Sequence, residues 1–394
     1  MSSSDKSKKT TGKRHWESMA TVWAGVGEKR RRGLRILPKE GGYFVHVTSR
    51  THYQQFLFGE EEKRVFVGMM RKWADFSGLS VITYCMMDNH FHVMLWVPGK
   101  VSLDHAEILE SLKGVWPEEK VLAWELFYAT QREEVQGSMN SAVLARMGDL
   151  SEFMRVLKQS FTCWFNARHG LKGPLWDARY RSVVVEGSPL ALMSVAAYID
   201  LNPLRAGMVE DPQAYGFSGY GAAMMGNQRA RKGLEQLVKL ARGHQPDAAL
   251  KVRRKQLSSE YPKGQRIAPQ LAKEMSQRAS PQNWQEVQAA YRIWLVNKGA
   301  SLSDVAQVHQ KFRQRKGWDP VQVIAEYEKH AASPFSDKFN YKMRSFSRGV
   351  AIGAPEFLEG LMHQFRSCFG ASRPSAARRV KGIGQGWMSL RQVD

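Results

Sequence analysis

Between residues 43 and 209 the apolar positions follow two rhythms, a period of two and a period near 3.6, and the switches between them mark out the elements. Tyr43 to Thr48 is β-branched and aromatic, the composition of a strand. From about Glu60 to Phe76, Val65, Met69, Trp73 and Phe76 recur on one side, which predicts an amphipathic helix closed by Gly78. Leu79 to Met87 reads as a second strand, Asp88 and Asn89 as a turn, and His90 to Val97 as a third strand stopped by Pro98 and Gly99. Ser151 is placed to cap a helix whose Phe153, Leu157, Phe161, Trp164 and Phe165 form an apolar stripe, and Gly170 to Pro174 breaks it. Tyr180 to Glu186 is a fourth strand. Ser188 and Pro189 then start a helix that runs to about Leu201, because Pro203 disfavours helical geometry at the residue before it.

Strand, helix, strand, strand, helix, strand, helix predicts an α+β fold, a ferredoxin-like split βαβ antiparallel sheet with helices mainly on one face and the other face free for a ligand. This unit spans 36–224 and carries a polar, helical-looking insertion at about 100–148. Residues 225–345 are basic and helix-leaning, with breaks at Pro262, Pro269, Pro281 and Pro320, and show neither an internal repeat nor a clean helix-turn-helix signature. The glycine-, serine- and arginine-rich 346–394 is expected to end in a loose tail, and 1–35 to be a basic, disordered one.

Charge adds a partner to this layout. The 394 residues carry a formal net charge of +21, distributed as +7 over 1–35, −3 over 36–224 and +17 over 225–394. The flanks therefore supply a surface for a polyanion, and the slightly acidic middle has a different task. Three widely spaced cysteines without a CxxC pair argue against a disulfide framework or a cysteine zinc site. No apolar run suggests a membrane span or a secretory signal, so a cytoplasmic protein associated with the nucleoid, with no membrane partner, is expected.

Candidate chemistry sits in the third strand. His90 and His92 are two apart, so their imidazoles share one face and can share a divalent metal, while Phe91 points to the core. On the tripeptide alone, two ligand-free histidines on a half-exposed strand remain the plainer reading. Tyr198 and Asn202 stand four apart on the last helix, which stacks them on one side; Asn202 at the helix edge is equally suited to capping a turn.

Taken together, these residues are more specific. Tyr43 to Arg50, the Asp88-Asn-His-Phe-His-Val-Met-Leu95 hairpin, Phe161 to Asn166, Gly173 to Arg181 and Tyr198 to Val209 follow one another in an order that resembles the single-tyrosine HUH transposases of the IS200-like group, in the REP-associated tyrosine transposase branch. The resemblance covers about 36–220. It implies that His90 and His92 bind Mg2+ or Mn2+ with Asn202 as third ligand, where better-known relatives use glutamine. Tyr198 is then the nucleophile that cleaves single-stranded DNA through a 5′-phosphotyrosine and can rejoin strands. Asp88 stands where many relatives have a neutral residue, and its role is open between the scissile phosphate and a histidine. The implied partner is single-stranded DNA with hairpins, typically repetitive extragenic palindromes, with a homodimer and a monomer both compatible. Arg155, Lys158, Arg179 and Arg181 are candidates for phosphate contacts, and Trp176 for base stacking or for packing under the turn. Two other readings stay open: a DNA- or RNA-binding module that kept the fold without cleavage, and a rolling-circle initiator or relaxase with the same chemistry.

Overall fold

The computed structural model describes residues 37–38, 41–241, 283–299, 346, 349–365, 377–379 and 388–391. The tail at 1–35 and the proline breaks between 242 and 345 lie outside the described residues. The elements are β1 (Tyr43–Arg50), α1 (Glu60–Ser77), β2 (Ser80–Met86) and β3 (His90–Val97), followed by α2 (His105–Lys113), α3 (Glu118–Ala129) and α4 (Glu133–Leu144). Next come α5 (Leu150–His169), β4 (Arg181–Val185), α6 (Pro189–Asp200), a single helical turn α7 (Asn202–Arg205), α8 (Gly219–Met224), α9 (Gln228–Ala241) and α10 (Trp284–Gly299). The chain then returns to the sheet with β5 (Gly349–Gly353), α11 (Pro355–Gln364), β6 (Ala377–Arg379) and β7 (Met388–Arg391).

Local chemistry explains most of these boundaries. Gly78 ends α1 and Gly170 ends α5 in the left-handed region, at φ 68° and 62°, where a Cβ would be costly. Two starts differ from the sequence reading. Asp149, not Ser151, caps α5, accepting from the amides of Ser151 and Glu152. Ser188 makes no side-chain cap; its hydroxyl donates to Glu186 Oε2, and Pro189 at the first helical position does the starting.

The sheet is a mixed one of seven strands in the order β2-β3-β1-β4-β5-β7-β6. β3, β1 and β4 pair antiparallel, with Thr48 opposite both His92 and Arg181. The β4–β5 pair is parallel, Val184 facing Ala351, so the expected all-antiparallel sheet gains three strands from beyond residue 346. This part of the chain is therefore built into the sheet at β5, β7 and β6, and the final residues expected to form a loose tail lie outside the described residues. The insertion at 100–148 folds as α2–α4 around its own small core of Ile108, Leu112, Val115, Trp124, Val143 and Met147, joined by Phe76 of α1.

Helices cover both sheet faces, which corrects the expectation of one free face. On the face carrying Phe91, α1 and α5 pack through Phe66, Phe161 and Trp176, with Phe66 and Phe91 rings 4.7 Å apart. On the face carrying His92 lie α6, α9 and α10. The cause is visible in α6: nine of its twelve residues are buried, so a helix apolar all round needs cover on both sides. Gly233 lets α9 approach β2 so closely that a Cβ there would stand 2.4 Å from the Ile82 carbonyl oxygen.

Asp200, fully buried at the end of α6, ties this layer together. Its carboxylate accepts from Thr83 Oγ1 of β2 at 2.9 Å, from the Tyr220 amide at 3.1 Å and from the Tyr291 hydroxyl of α10 at 2.6 Å. Burial pushes its carboxyl up to about 7 against the pull of these three donors. Replacing Asp200 with alanine strands three buried donors, so the Asp200→Ala variant is expected to lose roughly 3–5 kcal/mol in urea unfolding, and Tyr291→Phe about 1–2 kcal/mol.

Candidate active site

Alternation along β3 puts His90 and His92 on one face, and antiparallel pairing aligns them with Arg50 and Thr48 of β1. Because Thr48 also faces Arg181, one row across the sheet reads Cys85, His92, Thr48, Arg181, and the next begins His90, Arg50. His92 is 3% exposed and His46, one pleat further along β1, is 1% exposed. His90 is half-buried, while Arg50 and Arg181 are exposed, so the row opens to solvent at the end of the strands.

Hydrogen bonding sets the tautomers. His46 Nδ1 lies 2.5 Å from the Phe346 carbonyl oxygen, which only accepts, so Nδ1 carries the proton. In the neutral ring His46 Nε2 is then an acceptor, and it stands 2.9 Å from His92 Nδ1, which must donate. The lone pair of His92 is left on Nε2. His90 obeys the same logic. Asn89 Nδ2 donates to the Gln54 carbonyl at 2.8 Å, which turns its Oδ1 toward His90 Nδ1 at 2.7 Å, so His90 also keeps its lone pair on Nε2.

The three rings are neutral near pH 7. Burial lowers His46 to about 4, against the Phe346 carbonyl; burial, aided by the Arg50 charge, lowers His90 to about 4. His92 is driven well below the ordinary imidazole value, first by burial and then by His46, His90 and Arg50. Two neutral imidazoles, each with its other nitrogen held, are the donor chemistry that a divalent ion takes. Among the described residues no group of three or more His, Cys, Asp or Glu is arranged to hold a metal.

Tyr198 meets His92 and His46. Its half-buried ring stands edge-on to His92 with centroids 5.6 Å apart at 85°, and 6.0 Å from His46. Phe346 packs at 5.2 Å, and the Arg205 guanidinium sits 5.6 Å from the ring centroid. Asn202 uses Nδ2 to cap α6, donating to the carbonyls of Tyr198 at 2.8 Å and Ile199 at 3.1 Å. Capping and ligation draw on different atoms of that amide, since Oδ1 is the acceptor.

The other sequence candidates disperse. Asp88 pairs with the buried Lys63 of α1 at 2.5 Å, and Asn89 is the residue that partners His90. Arg155 and Lys158 lie on α5, which covers the opposite face. Arg155 is paired with Glu152, and Lys158 donates to the Ala178 carbonyl at 2.7 Å. Trp176 is buried among Phe58, Phe66, Phe91 and Phe161, so packing, one of its two expected roles, occupies the ring. Arg179 and Arg181 are exposed, and Arg181 shares the histidine face. Three residues were missed. His46 was signalled only as a polar residue inside an apolar strand, and Arg205 only as a basic residue two helical turns beyond Tyr198. Phe346 carries no local signal.

The hydrogen-bond chain yields a metal-independent test. Imidazole 15N resonances of the parent protein are expected to report His92 protonated at Nδ1. His46→Leu removes that acceptor, should release the tautomer and should cost about 1–3 kcal/mol through the stranded donor and carbonyl. His46→Gln, with one amide donor and one acceptor, should retain the tautomer.

No protein-family model and no curated protein matches the chain. Among solved structures it is similar to a REP-associated tyrosine transposase bound to a REP hairpin, at 14% identity and a TM-score of 0.31, over 51% of this chain and 87% of that one. A likeness at that level carries no argument about fold or function, so the assignment must come from the site.

Proposed function

We propose that the protein is an HUH-type tyrosine transposase that cuts and rejoins single-stranded DNA at hairpin sequences through Tyr198. The observation that carries this is the edge-on meeting of the Tyr198 and His92 rings, from α6 and β3, at 5.6 Å. A tyrosine from a distant helix packed against His92, with the Nε2 lone pairs of His90 and His92 both left unused, supports the reading that the five ordered sequence motifs imply. The residues fit Mg2+ or Mn2+: His90 and His92 would hold it through Nε2, with Asn202 Oδ1 as third protein ligand. When bound, such an ion neutralises the non-bridging phosphate oxygens and eases departure of the 3′ oxygen.

The chain's own groups supply the rest. Tyr198 Oη forms the new bond to phosphorus as the bond to the 3′ oxygen breaks; the phenolic proton goes to solvent, and the departing 3′ oxygen takes one up. Arg205 over the ring favours the negative charge that develops on the phenol. Arg50 and Arg181 flank the histidine row at its open end and suit the phosphates either side of the cut. The bond energy is conserved in the phosphotyrosine, so a second 3′ hydroxyl can reverse the step and join strands.

Incubation with a hairpin-bearing single strand and Mn2+ is expected to give a covalent protein–DNA band. Tyr198→Phe should abolish it, a chelator should prevent it, and Arg205→Ala should slow it by roughly 100- to 1000-fold, the range of lost electrostatic stabilisers. Tyr198→Phe cutting as fast as the parent overturns the nucleophile. Tight binding by the parent with no adduct in Mg2+ or Mn2+ leaves the binding-module reading in possession.

A further inference from the structure

The segment joining β1 to α1 holds two large aromatic side chains in water. Tyr53 is 79% exposed and Phe56 80%. Exposed apolar residues alone are ordinary, but here the backbone is bent to present them. Tyr53 and Gln54 are the two non-glycine residues with positive φ among the described residues, at 52° and 57°. Left-handed geometry is costly for a side chain with a Cβ, so it persists only where the surroundings impose it.

They do impose it. The Thr51 amide donates to the Asn89 carbonyl and the His52 amide to the Leu175 carbonyl, both at 2.9 Å. Thr51 Oγ1 binds the Gln55 carbonyl at 2.7 Å, and Asn89 Nδ2 binds the Gln54 carbonyl at 2.8 Å. Phe58, buried, closes the segment by donating its amide to the Asp88 carbonyl at 2.9 Å. The anchor Asn89 is the same residue whose Oδ1 holds His90, so the aromatic loop and the histidine row share a fastener. The loop leaves β1 at exposed Arg50, and the Ala178–Arg181 strand entry, with exposed Arg179 and Arg181, runs alongside through the Thr51–Trp176 bridge.

Aromatic rings held in solvent by an anchored backbone, beside three exposed guanidinium groups and at the open end of a candidate phosphodiester site, match the chemistry of an unpaired nucleobase. We propose that Tyr53 and Phe56 form a stacking platform for unpaired bases of the DNA strand next to the cut. The inference rests on the function proposed above and adds the substrate contact. Stacking on an aromatic face is tolerant of base identity, so the pair would hold single-stranded DNA at the hairpin foot, with guanidinium groups on its phosphates. It also replaces Trp176 in the role that burial denies it.

The test uses the full chain without divalent metal and a DNA hairpin whose single-stranded foot carries 2-aminopurine. The parent should quench the fluorophore on binding. Tyr53→Ala and Phe56→Ala should each weaken binding by roughly 5- to 100-fold, while Tyr53→Trp retains it. Tyr53→Gly relieves the backbone, so it should lose affinity with no fall in melting temperature, a combination that a purely structural tyrosine would not give. Affinity within twofold of the parent in a Tyr53→Ala/Phe56→Ala double variant that still forms the Mn2+-dependent adduct overturns the platform and leaves the proposed function standing. A parent that neither binds the hairpin nor forms the adduct overturns both. Loss of self-association in the double variant, with hairpin affinity unchanged, assigns the aromatics to contact between copies and likewise overturns the platform.

Discussion

The arrangement of the candidate site depends on one buried contact, the 2.9 Å approach of His46 Nε2 to His92 Nδ1. Two imidazoles in a dry sheet face cannot both offer a lone pair to each other, so one must donate, and the carbonyl of Phe346 decides which. That choice propagates: it orients the His92 ring, leaves its outer nitrogen bare and gives Tyr198 an edge to pack against. Neutrality follows from burial, because a charged imidazole there would face two further imidazoles and the Arg50 guanidinium.

Around that contact the fold acts as a clamp. Asp200, two residues beyond Tyr198, fastens the end of α6 to β2 and α10, and Asn202 seals the last carbonyls of the same helix. The tyrosine therefore sits on a helix end held at both its polar groups and its apolar faces. Precision of this kind, with supporting hydrogen bonds behind the side chains of the candidate site, is what the proposed role of Tyr198 would require.

Much of this could be read along the chain. Strand alternation put His90 and His92 together, and the helix period put Tyr198 and Asn202 on one side, because both depend on neighbours within a few residues. The elements of 43–201 follow the apolar rhythm for the same reason. What could not be read was long-range. No local pattern tells that Phe346 meets His46 across 300 positions, that β5 joins β4 in parallel, or that α9 and α10 cover the histidine face. Capping was misread where two good candidates lay within two residues of each other, as with Asp149 and Ser151. Arg155 and Lys158 were chosen for charge, and charge does not say on which side of a sheet a helix lies.

The parallel strand at Gly349–Gly353 has a consequence for the life of the chain. A ribosome delivers the histidines and the tyrosine well before it delivers the carbonyl that settles their tautomers. During that interval the nascent polypeptide holds His46, His92 and Tyr198 without the last brace, and the contact that fixes their arrangement can form only once translation has passed residue 346.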